Sequence, residues 1–531
     1  MNSTKKVRLK PNVLAEPLFN RWYAWSYLIP PATAAMYVAN LHLKIMQSFI
    51  AAPQAHVAAL RDPAMIGGPF INHAPGRVED VKALMERTAR DQSRLLALAD
   101  AIKTLDKTLS DEADGSSIES LYQKTPDALK GYVELVYDLN HHPSIRFIEG
   151  LLYKSAYFDE SAQSLAFSLV EADDRPFVLS TPRLRGDAQL ELHVPFRDRS
   201  LDRLFEMKSA PDSLGRIMEM LKVPREDEEL FSQFFTESEP RRTGRYSGDG
   251  VRIRYFGHAC LLIESRECSI LCDPVISYEY PTDVRRFTYA DLPEFIDYAL
   301  ITHGHQDHLA LETLLQLRHK VKTVLAPKNN GGGLADPSLK LMLQNLGFGG
   351  VREIDEAETV EIEGGAITGL PFFGEHGDLN IRSKLAYLIN LRGKSVICAA
   401  DSNNLEPMLY ERVREMVKKV DAMFIGMECD GAPLSWLYGP LFTKPLARKV
   451  DQSRRSNGSD YGKAMNIVER VRPGAVYVYA MGQEPWLTYL TSIHYTEESR
   501  PIIDSNQLVA HCRRLGLKTE RLYGQKEIWL T

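Results

Sequence analysis

The sequence predicts an α+β protein in two parts: a mixed, largely helical amino-terminal domain over residues 1–245 and a layered α/β/β/α sandwich over residues 246–531. Three observations predict it. A chain of 531 residues exceeds one ordinary core, so two domains of roughly 250 residues are the default. Apolar spacing is mostly helical between residues 15 and 135, as in Val81-Lys-Ala-Leu-Met-Glu-Arg and Leu95-Leu-Ala-Leu-Ala-Asp-Ala-Ile. Beyond residue 245 it gives way to short β-rich runs.

Taken in order, the stretch Ala24 to Leu41 is uncharged, with Pro30 and Pro31 in its middle, and is expected to form a buried helix pair interrupted by proline rather than a membrane span. Strand-like pieces follow at Phe177-Val-Leu-Ser and Leu190-Glu-Leu-His-Val. The segment Arg225 to Gly250 opens on a charge run and ends Arg-Tyr-Ser-Gly-Asp-Gly, which reads as a linker. The second domain is expected to place strands at Val251 to Phe256, Ala259 to Glu264, Ser269 to Cys272, Tyr298 to Thr302, Val321 to Ala326, Ala366 to Phe372, Leu385 to Leu391 and Ser395 to Ala400, with a helix at Ala310 to Arg318. Neither an internal repeat nor a low-complexity tract is evident.

Composition narrows the function classes. A hydrophobic share of 44% with 25% charged residues is that of a soluble globular protein. The net charge of −6 gives no clustered excess of cations for phosphate neutralisation, so nucleic acid is not an expected partner. The six cysteines lie mostly in apolar runs and read as reduced, buried thiols; with no signal-like amino terminus, a cytoplasmic protein without a membrane segment is expected. The segment Asn329-Asn-Gly-Gly-Gly lacks the spacing of a dinucleotide fingerprint and reads as a plain loop.

The chemistry is concentrated at Tyr298-Ala-Leu-Ile-Thr-His-Gly-His-Gln-Asp-His-Leu, an apolar strand running into a turn and a helix. Such a turn can aim His303 and His305 to one side and Asp307 and His308 to another, so that two metal ions sit close together. The His-x-His-x-Asp-His pattern resembles the signature of the metallo-β-lactamase superfamily. The similarity continues upstream in Phe256-Gly-His-Ala-Cys-Leu-Leu-Ile-Glu and Ile270-Leu-Cys-Asp-Pro, where Asp273 corresponds to a carboxylate bracing the metal loop, and downstream in Val396-Ile-Cys-Ala-Ala-Asp-Ser, where Asp401 corresponds to a bridging ligand. His258 is expected beside the metal loop.

Two departures matter. Where the superfamily's hydrolases present a histidine, this chain reads Phe372-Phe-Gly-Glu-His-Gly-Asp-Leu, so either Glu375 or His376 is the ligand. Where many relatives carry a final histidine, this chain has Met481, which would leave a coordination position open. With Glu375 binding, three carboxylates, two divalent ions and one hydroxide sum to no net charge, and a carboxylate-rich set suits iron or manganese better than zinc.

The combination of this domain with the amino-terminal half, including the opening Leu14-Ala-Glu-Pro-Leu-Phe-Asn-Arg-Trp-Tyr-Ala-Trp, closely resembles the diiron β-hydroxylases of the chloramphenicol-biosynthesis type. The resemblance implies an oxo- or hydroxo-bridged pair of iron ions on His303, His305, Asp307, His308, Glu375 and Asp401, with Glu375 and Asp401 also catalytic. It further implies O2 as co-substrate, an aminoacyl group on the carrier domain of a nonribosomal peptide synthetase as substrate, and electrons from an external reductase or ferredoxin. The amino-terminal domain would then cover the site or form a homodimer, and the basic stretch Lys444 to Arg455 is either a solvated face or a carrier-docking face. The competing expectation is a dizinc or dimanganese hydrolase of a lactone, thioester or phosphodiester, since the same fold most often hydrolyses.

Overall fold

The computed structural model describes residues 6–186 and 188–531. Two seven-stranded sheets pack face to face in the second half. Strand alternation builds the layer between them: Val251, Ile253 and Tyr255, then Ile270 and Cys272, point into one buried cluster with Tyr387, Ile389 and Phe424 of the facing sheet. The intervening Leu262 and Leu271 point the other way, into a separate buried cluster.

In the first sheet Ser269–Cys272, Ile296–Leu300, Val321–Pro327 and Val351–Ile354 are parallel neighbours. In the second, Lys394–Cys398, Ala422–Gly426, Ala475–Tyr479 and Lys518–Arg521 are parallel. Helices on the outside bury both flanks, which is why inner strands such as Ser269–Cys272 and Ala422–Gly426 read as nearly unbroken apolar runs. The predicted sandwich and its largely helical companion are the observed fold class. The last strand, Lys526–Leu530, closes the first sheet against Val251–Tyr255.

The amino-terminal half carries a four-stranded sheet, a three-stranded sheet, a hairpin and several helices, the longest being Ser93–Glu112. Its apolar residues share one buried cluster with Leu311, Leu314 and Leu315 of the helix Leu311–Leu317 and with Leu339, Met342 and Leu343 of the helix Leu339–Asn345. The two halves therefore pack through a common core.

Three local expectations are corrected. Residues 24–29 are not helical, and Pro30 and Pro31 begin a helix, Pro31–Tyr37, at the positions where a missing N–H costs nothing. That helix continues through a π-turn, Val38–His42, into Leu43–Ala51. Val178–Ser180 is a turn, not a strand. The start of the presumed linker is folded, with the helix Glu228–Ser232 and the strand Phe235–Thr236 pairing with Arg8 and Leu9. Among the described residues no helix is long and apolar enough to cross a membrane.

Candidate metal centre

The site lies where both sheets present the carboxyl ends of their parallel strands, the usual place for ligands in such sheets. After Leu300 the chain leaves the first sheet and turns through residues 303–308 before the helix Leu311–Leu317. Asp273, at the end of the neighbouring strand with φ +39°, fixes that turn. Its carboxylate accepts the Thr302 N–H (2.7 Å), the Thr302 hydroxyl (2.7 Å) and Nδ1 of His308 (2.8 Å). His308 must therefore carry its proton on Nδ1, which leaves Nε2 facing Asp401 Oδ2 at 2.9 Å.

Asp401 arrives from the facing sheet, just past Lys394–Cys398, on a backbone where Ala400 is held at φ +45° and donates its N–H to the Tyr479 hydroxyl. The Asp401 oxygen beside His308 also lies 3.8 Å from His303 Nε2, so it stands between two groups of donors. Glu375 closes the other side. Its Oε1 is 3.0 Å from His305 Nδ1 and its Oε2 is 3.9 Å from His303 Nε2. Glu375 sits at φ +66° after Gly374, whose missing Cβ would come within 2.4 Å of Asn403. A non-glycine residue in that region costs on the order of 1–3 kcal/mol, and here the distortion aims a carboxylate at imidazoles.

All six predicted residues are thus brought together, in overlapping ligand-competent groups: His303, His305, Glu375 and His376; His303, His308 and Asp401; His258, Asp307 and His308. Two further histidines share the site. His258 accepts the Gly482 N–H on Nδ1 (3.1 Å), so its proton is on Nε2, 3.2 Å from Asp307 Oδ2. His376 Nδ1 lies 3.3 Å from the Gly374 carbonyl and 3.1 Å from Glu375 Oε2. Met481 packs in the outer apolar layer behind the second sheet, and the next residue, Gly482, donates its backbone N–H to His258.

The cluster is built for cations. Nitrogens face each other at 3.2 Å between His303 and His305 and between His258 and His308. Glu375 Oε2 and Asp401 Oδ1 are buried without a hydrogen-bond partner. Burial raises the Glu375 carboxyl above its usual range, although His305 draws it down. Burial would also raise Asp307, but His308 and His258 hold it well below the usual range. His303 is pushed far down by burial and then by the neighbouring His308 and His305. Lone pairs, unpaired carboxylate oxygens and burial in one place are what metal ions would satisfy.

Sequence reasoning missed two participants. Tyr438, on the short helix Leu434–Tyr438, places its hydroxyl 2.6 Å from His305 Nε2. Glu428, just past Ala422–Gly426, is pushed up to about 8 by burial while Tyr495 donates to it at 3.0 Å. Neither sits in a recognisable spacing, because each reaches the site from a separate strand end or loop.

Comparison with known proteins shows the family. Residues 8–240 match the family model for the diiron non-heme beta-hydroxylase N-terminal domain, and residues 269–476 match a beta-lactamase superfamily domain. The 4-amino-L-phenylalanyl-[CmlP-peptidyl-carrier-protein] 3-hydroxylase of Streptomyces venezuelae is 42% identical over 530 residues, 98% of this chain and 99% of that one. The chain belongs to the diiron non-heme β-hydroxylase family. It is a hydroxylase with two iron ions as its cofactor, and the histidine and carboxylate donors fit that pair. The crystal structure of CmlA, a diiron beta-hydroxylase from Streptomyces venezuelae, superposes with a TM-score of 0.93 at 40% identity, covering 99% of this chain and 100% of that one. A glutamate-to-aspartate variant of that hydroxylase gives 0.90, again at 40% identity with 99% and 100% covered. By contrast, a metal-dependent hydrolase of Lysinibacillus sphaericus is 30% identical over only 105 residues, 20% of this chain and 43% of that one. Likeness to the hydroxylase thus spans both halves, while this likeness to a hydrolase is confined to one short stretch.

Proposed function

We propose that this enzyme hydroxylates the β-carbon of an aminoacyl group, of the p-aminophenylalanyl type, held as a thioester on the carrier domain of a nonribosomal peptide synthetase in antibiotic biosynthesis. The observation that carries this reading is identity of 42% along essentially the whole length of a relative named for that reaction. In this reading His303, His305, Asp307, His308, Glu375 and Asp401 would hold the two irons. Bound there, the iron pair supplies the oxidising chemistry with O2, and the electrons come from a separate reductase or ferredoxin.

The chain's own residues do the rest. Asp273 keeps the His308 proton on Nδ1 and so keeps Nε2 free to bind. His258 orients Asp307 through its Nε2–H. Tyr438 fixes the ring of His305. Two contacts support Glu375 over His376 as the ligand. The Glu375 oxygens face His305 at 3.0 Å and His303 at 3.9 Å, and the Glu375 Oε2 is buried without a hydrogen-bond partner.

We read residues 1–245 as the cover of the turn: Ser26 donates its hydroxyl to the Gly304 carbonyl and Tyr37 donates to the Leu437 carbonyl. Six buried, unpaired thiols fit a reducing cytoplasm. The test is single-turnover reaction of chemically reduced enzyme with O2, comparing free p-aminophenylalanine with the same residue on its carrier domain. Hydroxylated product from the carrier-bound form, with little from the free acid, is expected. Equal reaction of both, or thioester hydrolysis in place of hydroxylation, would overturn the reading.

A further inference from the structure

His305 faces two ways. Its Nδ1 lies among the metal donors, 3.0 Å from Glu375, so the Nε2–H on the other edge donates to the Tyr438 hydroxyl (2.6 Å). The Tyr438 phenol in turn donates to that of Tyr27, whose O–H ends on the Ala335 carbonyl (2.7 Å). From there a row of rings runs into the amino-terminal half. The ring centres of Tyr438 and Tyr27 are 5.9 Å apart, those of Tyr27 and Trp25 4.9 Å, and those of Trp25 and Tyr37 5.3 Å. Tyr37 donates its hydroxyl to the Leu437 carbonyl, and Trp25, Tyr37 and Trp436 line one small cavity. The inner rings are buried, whereas Trp436 is half-buried.

Aromatic rings at these spacings also pack an ordinary core. Two features set this row apart: it starts on a hydrogen bond to a metal-binding histidine, and it ends on a ring that solvent reaches. Every member is a phenol or an indole, among the side chains most readily oxidised by one electron. Neither ring type accepts an electron from a biological reductant, so the row can carry oxidising equivalents outward but not reducing equivalents inward. Tunnelling falls exponentially with distance, so short hops between rings outrun one long transfer. Without such a route the nearest targets are the walls of the site, such as the Phe372 ring 5.5 Å from that of His303.

We propose that this row drains an oxidising equivalent from the iron pair when no substrate consumes it. One electron passes from Trp436 through Trp25 or Tyr37, then Tyr27 and Tyr438, to the iron pair, which is reduced by one. Each inner ring regains from its outer neighbour the electron it gives up. At Trp436 the indole N–H breaks and its proton goes to water. A thiol in solution then restores the indole by giving up its S–H hydrogen atom, and two such sulfur radicals join as a disulfide.

The experiment mixes the iron-loaded full chain, free of substrate and thiol, with hydrogen peroxide, which delivers oxidising equivalents to the iron pair. Freeze-quenched samples are read by electron paramagnetic resonance, and oxygen insertion is mapped by peptide mass spectrometry. The wild type should give a transient organic radical whose spectrum narrows when the chain carries ring-deuterated tryptophan, and the iron-free chain should give none. Tyr438→Phe, with both irons kept, should lose that signal while oxygen insertion at Phe372 rises severalfold. Trp436→Phe should keep a radical on the buried rings that added thiol no longer quenches. Absence of a radical from the wild type, or an equal one in the iron-free chain, would overturn the proposal. So would a tryptophan signal unchanged in Tyr438→Phe, insertion at Phe372 that falls together with that signal, or thiol quenching unchanged in Trp436→Phe. The wild-type and iron-free spectra decide even if a variant fails to fold. With no substrate present, the outcome is separate from that of the carrier-domain test.

Discussion

The two flanks of the metal site are built by opposite means. The flank after Ile296–Leu300 is contiguous: four donors within six residues, locked by Asp273 and by the helix that follows. The flank facing it is assembled from distant points, Glu375 on a strained loop, Asp401 past a strand end and Tyr438 on a five-residue helix. Both flanks store backbone distortion, at Asp273 on the contiguous side and at Glu375 and Ala400 on the assembled side, but on the contiguous side one residue with its hydrogen bonds fixes the whole turn. Donor identity is thus inherited from local chain geometry on one side and from tertiary packing on the other.

That contrast can be broken most forcefully at Asp401, the residue that touches both flanks. Asp401→Ala should lose iron and lower single-turnover hydroxylation by more than the roughly 100-fold ceiling typical of outer partners, as read by metal analysis and product yield. Retention of both irons would show that the flanks hold metal independently.

The contiguous flank also leans on the amino-terminal half. Glu312, in the helix after the turn, is paired with Arg175 at 2.7 Å, and Arg175 is in turn paired with Glu16 at 2.7 Å. Burial would raise the Glu16 carboxyl, but Arg183 and Arg175 pull it down from 4.5 to about 2. A carboxyl depressed in the folded state stabilises above its unfolded value and loses that contribution as pH falls through the folded one. Stability should therefore drop between pH 4.5 and 2, by on the order of 3 kcal/mol from this group. Denaturant melts of Glu16→Gln should lack that part of the acid dependence; an unchanged profile would remove Glu16 from the account.

Smaller effects sharpen the picture. Asp273→Asn replaces one acceptor with a donor beside His308 and should weaken iron binding about 10 to 100-fold, measured by chelator competition. Tyr438→Phe deletes one hydrogen bond to His305 and should change the single-turnover rate by only about 2 to 10-fold, with both irons kept. An Asp273→Asn effect smaller than that of Tyr438→Phe would reverse the ranking of the flanks.

The same contrast explains what was legible in the sequence. The strand-turn-helix carrying His303 to His308 is readable because an apolar run, a glycine-containing turn and four ligand-type side chains are adjacent. The sandwich was readable because strands buried on both faces appear as apolar runs. Asp401 was accessible through its strand end. The Glu375 and His376 alternative could not be resolved from spacing, since both side chains enter the cluster and only backbone at positive φ separates their directions. Tyr438 and Glu428 have no local signature. Residues 24–29 depart from the expected helix because their backbone follows contacts such as Ser26 to Gly304, 278 residues away in sequence, which no local apolar spacing records.

The central claim is that the assembled flank offers a carboxylate, not an imidazole, to the metal, and it is tested most directly by iron content and single-turnover hydroxylation of Glu375→Ala and His376→Ala measured side by side. The account predicts iron loss and no product for Glu375→Ala, with both irons and a loss of at most about 10 to 100-fold for His376→Ala. A fully loaded Glu375→Ala beside an iron-free His376→Ala would contradict it.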